Sequence, residues 1–300
     1  MTRMDVIGAP SSAGAYTPGQ ERAPQALRAA GLLETLERRG IEVVDRGDVP
    51  GFRRRADLEH PRAMNSDRVA AVARSVTDRT AQSLDEGAAV LVLSGDCAVG
   101  IGTVAGASIG SPSVGLVYVD LDADLNTPLT TTDGALDWMG VAHLLALPDT
   151  VPALAGVGPR TPLLSPDQVL LFRADNVTPP ERGWSRRMAS PRSGWPKSRQ
   201  IRRAPPGPRC RTRAPRFDRI VVHVDVDVRD YLDLPIAEEA RRNRGLRFTR
   251  LTAALRELLV APGWVGLTIC ELNPDHGESD GSTLRTFGDG LADVLSGALS

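Results

Sequence analysis

The sequence predicts an α/β sandwich built on a parallel sheet. Short β-rich runs alternate with helical patterns along the 300-residue chain, as expected of strand–helix–strand units. Several of these runs are unbroken Val/Leu/Ile segments, the mark of parallel strands buried on both faces. The apolar fraction of 41% is enough for a real core, and 24% charge with a net of -1 excludes a wholly disordered chain.

Residues 4–7 read as the first strand, and 22–39 as an amphipathic helix that leads to a second strand at 42–45. A long helix covers 66–86, with Ser66 and Asp67 as its N-cap and Gly87 as its stop. Strands follow at 89–93 and 114–120, and a helix starts within 139–147. The remaining strands are 168–172, 219–228 and 265–271, and the remaining helices are 251–260 and 284–299. The length alone would allow two domains. With no internal repeat and no clear linker, residues 1–300 read as one.

Composition narrows the function. No apolar run approaches the roughly 18 residues of a membrane span, and the opening MTRMDVIGAP has no signal-peptide core. Cys97, Cys210 and Cys270 are far apart and form no CxxC. That argues against a disulfide scaffold or a zinc ribbon and fits a reducing cytoplasm. Aromatics at 4% disfavour a single-strand nucleic-acid binder that works by stacking.

The small net charge is a cancellation. Residues 182–216 hold eleven Arg, one Lys, six Pro and no acid, so the rest of the chain has 24 basic against 37 acidic residues. The stretch reads as a basic disordered arm, as a solvated loop, or as the product of a shifted reading frame. Nucleic-acid binding through it is the weakest reading, because the acidic remainder would repel phosphate.

Two acid clusters stand at strand ends. Asp120, Asp122 and Asp124 follow the 114–120 strand, with side chains on one side if the chain stays extended. His223, Asp225 and Asp227 alternate with Val222, Val224, Val226 and Val228. Ionised carboxylates beside a core persist when paired or metal-bound, and no Lys or Arg lies inside either cluster. Oxygen donors suit Mg, Mn or Ca. The alternative is a pair of solvated strand ends. Cys97, in Ser94-Gly95-Asp96-Cys97, is either a small core residue or a thiolate ligand. Glu271, in Cys270-Glu271-Leu272-Asn273-Pro274, is either a surface acid or a site carboxylate.

These pieces, in this order, resemble the ureohydrolase family of arginases, agmatinases and related amidinohydrolases. SGDCAVGIG at 94–102 is similar to the family's Gly-Gly-Asp-His motif. DLDADLNTPLTTTDG at 120–134 is similar to its Asp-Ala-His-x-Asp-x-Asn motif and substrate loop. Asp225, Asp227 and Asp230 match Asp-x-Asp-x-x-Asp, and ELNPDHG at 271–277 matches the terminal glutamate motif. The resemblance covers nearly the whole chain. It implies a three-layer α/β/α fold, a trimer or hexamer, and two manganese ions serving hydrolysis of a small guanidino substrate. By position, the metal ligands are Cys97, Asp120, Asp122, Asp124, Asp225 and Asp227. Asp124 also accepts a hydrogen bond from the nucleophile, and Glu271 orients the guanidinium. Asn126 and Thr131 hold the α-carboxylate of an amino-acid substrate, Asp133 stands in the same substrate loop where the family has serine, and Asp137 occupies the proton-shuttle position.

The chain departs from the family at chemically telling points. Cys97 and Asp122 stand where the family has histidine ligands, and Asp137 where it has the shuttle histidine. Five aspartates and a thiolate carry more negative charge than two divalent ions neutralise, and thiolate favours metals softer than manganese. An impaired or non-catalytic family member is therefore the second reading. His223 could compensate, although a packing role is commoner for such a residue. His143 reads as a helix residue with a local hydrogen bond. Between residues 181 and 225 the length is about that of the family, but the alternating pattern is absent. That points to a frame error across codons 174–220, and a clean read of the gene in the present frame would overturn it.

Overall fold

The computed structural model describes residues 3–188, 217–240 and 245–299. Most of the basic stretch, residues 189–216, lies outside the described residues, and so does the expectation of an aberrant arm there.

All seven expected strands form one parallel sheet. They are β1 (Arg3–Ala9), β2 (Glu42–Asp48), β3 (Ala89–Ser94), β4 (Val114–Val119), β5 (Val169–Phe172), β6 (Arg219–Asp225) and β7 (Trp264–Cys270), in the order β2-β1-β3-β7-β6-β4-β5. Every neighbouring pair is parallel. β3, β4 and β7 are buried along their whole length, which is why their sequences are unbroken apolar runs rather than alternating ones.

Helices cover both faces of the sheet. In chain order they are α1 (Ala23–Ala29), α2 (Leu32–Arg38), α3 (Ser66–Asp85), α4 (Gly100–Ser108), α5 (Gly140–Leu144), α6 (Pro152–Ala155), α7 (Arg182–Ser185), α8 (Phe248–Leu259) and α9 (Ser282–Leu299). α3, α4, α5 and α6 pack one core against the sheet, through residues such as Val69, Ile101, Val141 and Leu154. α1, α2, α8 and α9 pack the other, through Leu27, Leu36, Leu255 and Leu291. The result is three layers. No helix among the described residues is long and apolar enough to cross a membrane.

Several boundaries differ from expectation. The helix expected over 22–39 is two helices, broken at Gly31 with φ +85. The cap expected at Ser66 falls on Asn65, at φ 55 and without a side-chain cap bond. The 219–228 strand ends at Asp225, where a 3-10 turn over Val226–Val228 begins. Sequence reasoning gave no helix at α4, whose Gly100, Gly102 and Gly106 argue against one. Those glycines are there for close packing. A Cβ on Gly102 would lie 2.4 Å from the Ala73 carbonyl oxygen in α3. Gly→Ala inside a helix ordinarily stabilises by about 1 kcal/mol. Here the clash is with backbone, so the sign reverses. Gly102→Ala is expected to lose roughly 1–2 kcal/mol, the balance of overpacking against propensity, as measured by denaturant unfolding.

Candidate metal-binding active site

The carboxyl ends of four neighbouring strands, β3, β7, β6 and β4, bring the functional residues together. Ligands of open α/β sheets bind beyond such ends. A cavity of about 460 Å³ opens there. It is lined by Cys97 after β3, by Glu271 after β7, by Asp225 and Asp227 from β6 and its turn, and by Asp120, Asp122 and Asp124 after β4. Its size suits a small molecule.

The loop after β4 does not stay extended, because Asp124 has φ +50. All three aspartates nevertheless line the cavity. Asp120 Oδ1 accepts the Asp122 N–H at 2.7 Å, and Asp225 Oδ1 accepts the Asp227 N–H at 2.8 Å. Each cluster thus folds its second acid back beside its first. Glu271 also sits at positive φ, 59. Its Oε1 accepts the Cys97 N–H at 2.8 Å, and its Oε2 accepts Gln20 Nε2–H at 3.1 Å. The Cys97 thiol donates to the Asp137 carbonyl oxygen at 2.9 Å and lies 3.5 Å from Asp124 Oδ2.

Burial and mutual repulsion govern the charges. Burial, with Asp225 nearby, pushes the Asp120 carboxyl well above the usual carboxylate range. Asp124 is raised by burial and Asp122, Asp225 by burial and Asp227, and Glu271 by burial and Asp137. Burial, then Asp124, raises the Cys97 thiol. Without a counter-charge, burial and mutual repulsion favour the protonated forms of these groups.

The donor set fits divalent cations. Ligand atoms of Cys97, Asp225 and Glu271 lie within 4.8 Å of one another, as do those of Asp120, Asp122 and Asp227. Asp120 Oδ2 is buried with no hydrogen-bond partner, a cost that a cation would remove.

The other expected residues fall as follows. Asp137 lines the cavity; its Oδ2 accepts the Tyr16 N–H at 3.0 Å, and its Oδ1 is buried without a partner. Asn126, Thr131 and Asp133 are not among the residues lining the cavity. Asn126 Oδ1 accepts from Thr130 Oγ1 of its own loop at 2.9 Å and from Thr178 Oγ1 of the loop after β5 at 3.3 Å. Asp133 Oδ1 accepts the Ala135 N–H at 3.1 Å. His143 Nδ1 is 2.7 Å from the Met139 carbonyl oxygen, and its Nε2 accepts the Val151 N–H. His143 is a helix residue with local bonds. His223 lies behind the site. It stacks on Tyr118 at 4.4 Å, its Nε2 is 3.2 Å from Cys270 Sγ, and burial lowers its pKa to about 3.

Sequence reasoning missed further contributors. The Tyr118 hydroxyl donates to Asp124 Oδ2, and strand alternation from Asp120 was the signal that could have found it. Glu238, Glu239, Tyr16, Thr17, Trp138 and His276 also line the cavity. Glu238 is held by Thr17 Oγ1 and by Asn273 Nδ2. These come from separate loops, and no local pattern links them.

The comparisons with known proteins agree with this architecture. The Arginase family model matches residues 2–295. Human arginase-1 is 34% identical over 177 residues, which is 59% of this chain and 55% of that protein. Human mitochondrial arginase-2 is 35% identical over 182 residues, 59% of this chain and 50% of that protein. The chain thus spans about half the length of the curated relatives it matches. The arginase structure from Bacillus cereus superposes with a TM-score of 0.81 at 22% identity, over 100% of this chain and 99% of that one. Proclavaminate amidino hydrolase from Streptomyces clavuligerus has a TM-score of 0.67 at 18% identity, over 99% and 92%. At these identities the structures speak for the fold alone. The family model extends over nearly the whole sequence, and the chain belongs to the arginase family.

Proposed function

We propose that the chain is a metal-dependent hydrolase of a guanidino compound that releases urea. One observation carries the reading. Nine acidic side chains line a single cavity, with no Lys or Arg among the described lining residues. A guanidinium is charged at every accessible pH and pairs with carboxylates through its planar fork, so it suits such a cavity. The relatives named arginase favour the same substrate class.

Cys97, Asp120, Asp122, Asp124, Asp225 and Asp227 would hold two divalent cations, manganese by family expectation. When bound, these supply Lewis acidity and a nucleophile at neutral pH. Glu271 pairs with the guanidinium and fixes its plane, since its own carboxylate is fixed by the Cys97 N–H and Gln20. Water adds to the guanidinium carbon and the C–N bond to the chain nitrogen breaks. An alkylguanidinium plus water thereby becomes an alkylammonium plus urea, with charge conserved. Asp124 accepts a hydrogen bond from the attacking water. Asp137 lines the cavity, and burial, with Asp96 nearby, shifts its carboxyl toward the protonated form, which suits it to protonate the departing amine.

Tyr118 is the positioning residue for Asp124. Tyr118→Phe keeps the ring against His223 and removes the hydroxyl donor. It is expected to weaken Mn2+ binding roughly 10- to 100-fold, as loss of an outer-shell partner does, by calorimetric titration. The functional test is metal analysis together with urea release from arginine, agmatine and hydroxyarginine with added manganese. Urea from one of them supports the proposal. No urea from any, with metal or activity restored by Asp122→His, selects the impaired or non-catalytic reading.

A further inference from the structure

We infer that the cation centre is chemically unequal, with a soft position anchored by the Cys97 thiolate and a hard position built from oxygen alone. The inference rests on the metal-dependent reading above and deepens it.

The geometry separates the donors into two groups. One contains Cys97 Sγ with carboxylate oxygens of Asp225 and Glu271, and Asp124 Oδ2 lies 3.5 Å from the same sulfur. The other contains only the carboxylates of Asp120, Asp122 and Asp227. Cys97 does not belong to the second group. Asp120 supplies the independent sign of a ligand: it is 1% exposed, and its Oδ2 faces no hydrogen-bond donor.

Sulfur and oxygen select different ions. A thiolate prefers zinc, cadmium or another thiophilic ion, whereas carboxylates prefer magnesium or manganese. Histidine at both positions 97 and 122 would have made the two groups alike. Cys97 softens one and Asp122 hardens the other, so the two substitutions act in opposite directions. Charge points the same way. A thiolate shares electron density with a soft ion more fully than a carboxylate does with a hard one, which eases the crowding of negative charge at Asp124 and Asp225. Glu271 stands within 4.8 Å of the soft group, and both its oxygens already accept hydrogen bonds. The guanidinium partner thus sits beside the soft position.

The test uses the full-length protein after chelation and dialysis. Cd2+ is titrated first, with the ultraviolet thiolate-to-cadmium charge-transfer band as readout. Mn2+ follows, read by loss of the free-ion paramagnetic resonance signal. One equivalent of Cd2+ is expected to saturate the band, and Mn2+ then binds without diminishing it. Cys97→Ser abolishes the band and weakens Cd2+ binding by at least about tenfold, while Mn2+ still binds with unchanged affinity. Cys210→Ser and Cys270→Ser keep the band. A band that survives Cys97→Ser overturns the inference. So do two equivalent Mn2+ ions that prevent the band, although these leave the metal-centre reading standing. Binding of neither ion overturns both.

Discussion

Glu271→Gln is expected to lower kcat/KM for a guanidino substrate by roughly 30- to 5,000-fold, from the 2–5 kcal/mol that losing one partner of a buried charge pair costs. Glu271 is buried, and its two oxygens are fixed by the Cys97 N–H and Gln20. The amide keeps the shape and can still accept from Cys97, so the fold survives. It offers the substrate guanidinium a dipole in place of a charge. Metal should still bind, since Cys97, Asp124 and Asp225 remain and the amide oxygen can still accept from the Cys97 N–H. Steady-state urea release with parallel metal analysis checks both halves. Retained activity would show that another acid of the cavity wall, such as Glu238, pairs with the substrate.

Metal removal should invert the pH dependence of stability. In the chelated protein, burial and neighbouring acids raise the carboxyls of Asp120, Asp124, Asp137, Asp225 and Glu271 above their ordinary values. The folded state then binds more protons than the unfolded one. Stability is therefore fully present below the ordinary carboxylate range and is lost as pH rises toward the raised values. The unfolding temperature of the chelated protein should fall as pH rises above the ordinary carboxylate range of about 4. Divalent cations bind the deprotonated site and oppose this trend. At about 100-fold over its dissociation constant, one ion adds about 2.7 kcal/mol, or roughly 5–10 °C, and more at the alkaline end than the acidic. A chelated protein that gains stability with pH would show that these acids are paired by other means.

Much of the fold was legible because the signal is local. The unbroken apolar runs at 89–93 and 114–120 require burial on both faces, and β3 and β4 are buried throughout. Boundaries were less legible wherever tertiary contact overrules propensity. α4 carries three glycines in nine residues and is still a helix, because the space they leave is filled by α3 and by His223. The 22–39 pattern gave no hint that Gly31 would take a left-handed conformation and split the helix.

The site divides along the same line. Asp120, Asp122, Asp225 and Asp227 could be read from sequence as clusters, because short acid spacings after apolar strands are visible in one dimension. Asp124 and Glu271 reach the cavity through residues at positive φ, a conformation that no spacing rule anticipates. Asn126 was expected at the substrate, and its carboxamide oxygen accepts from Thr130 in its own loop and from Thr178 after β5, the second of which no sequence spacing indicates.

By itself, the sequence determined a parallel α/β sheet with acids at its strand ends, and the motif order that marks the arginase family. It determined the chemical types of the donors as well, including the cysteine and the extra aspartate in place of histidines. Only the tertiary structure decided how those donors are grouped. The strand order sets β3, β7, β6 and β4 side by side, so groups more than a hundred residues apart share one cavity, while Glu238 enters it and Tyr118 and Gln20 hold its acids by hydrogen bonds from outside the motifs. Ligand type is a property of each residue. Which ligands share an ion depends on distances of a few ångströms, and those exist only once the sheet has formed.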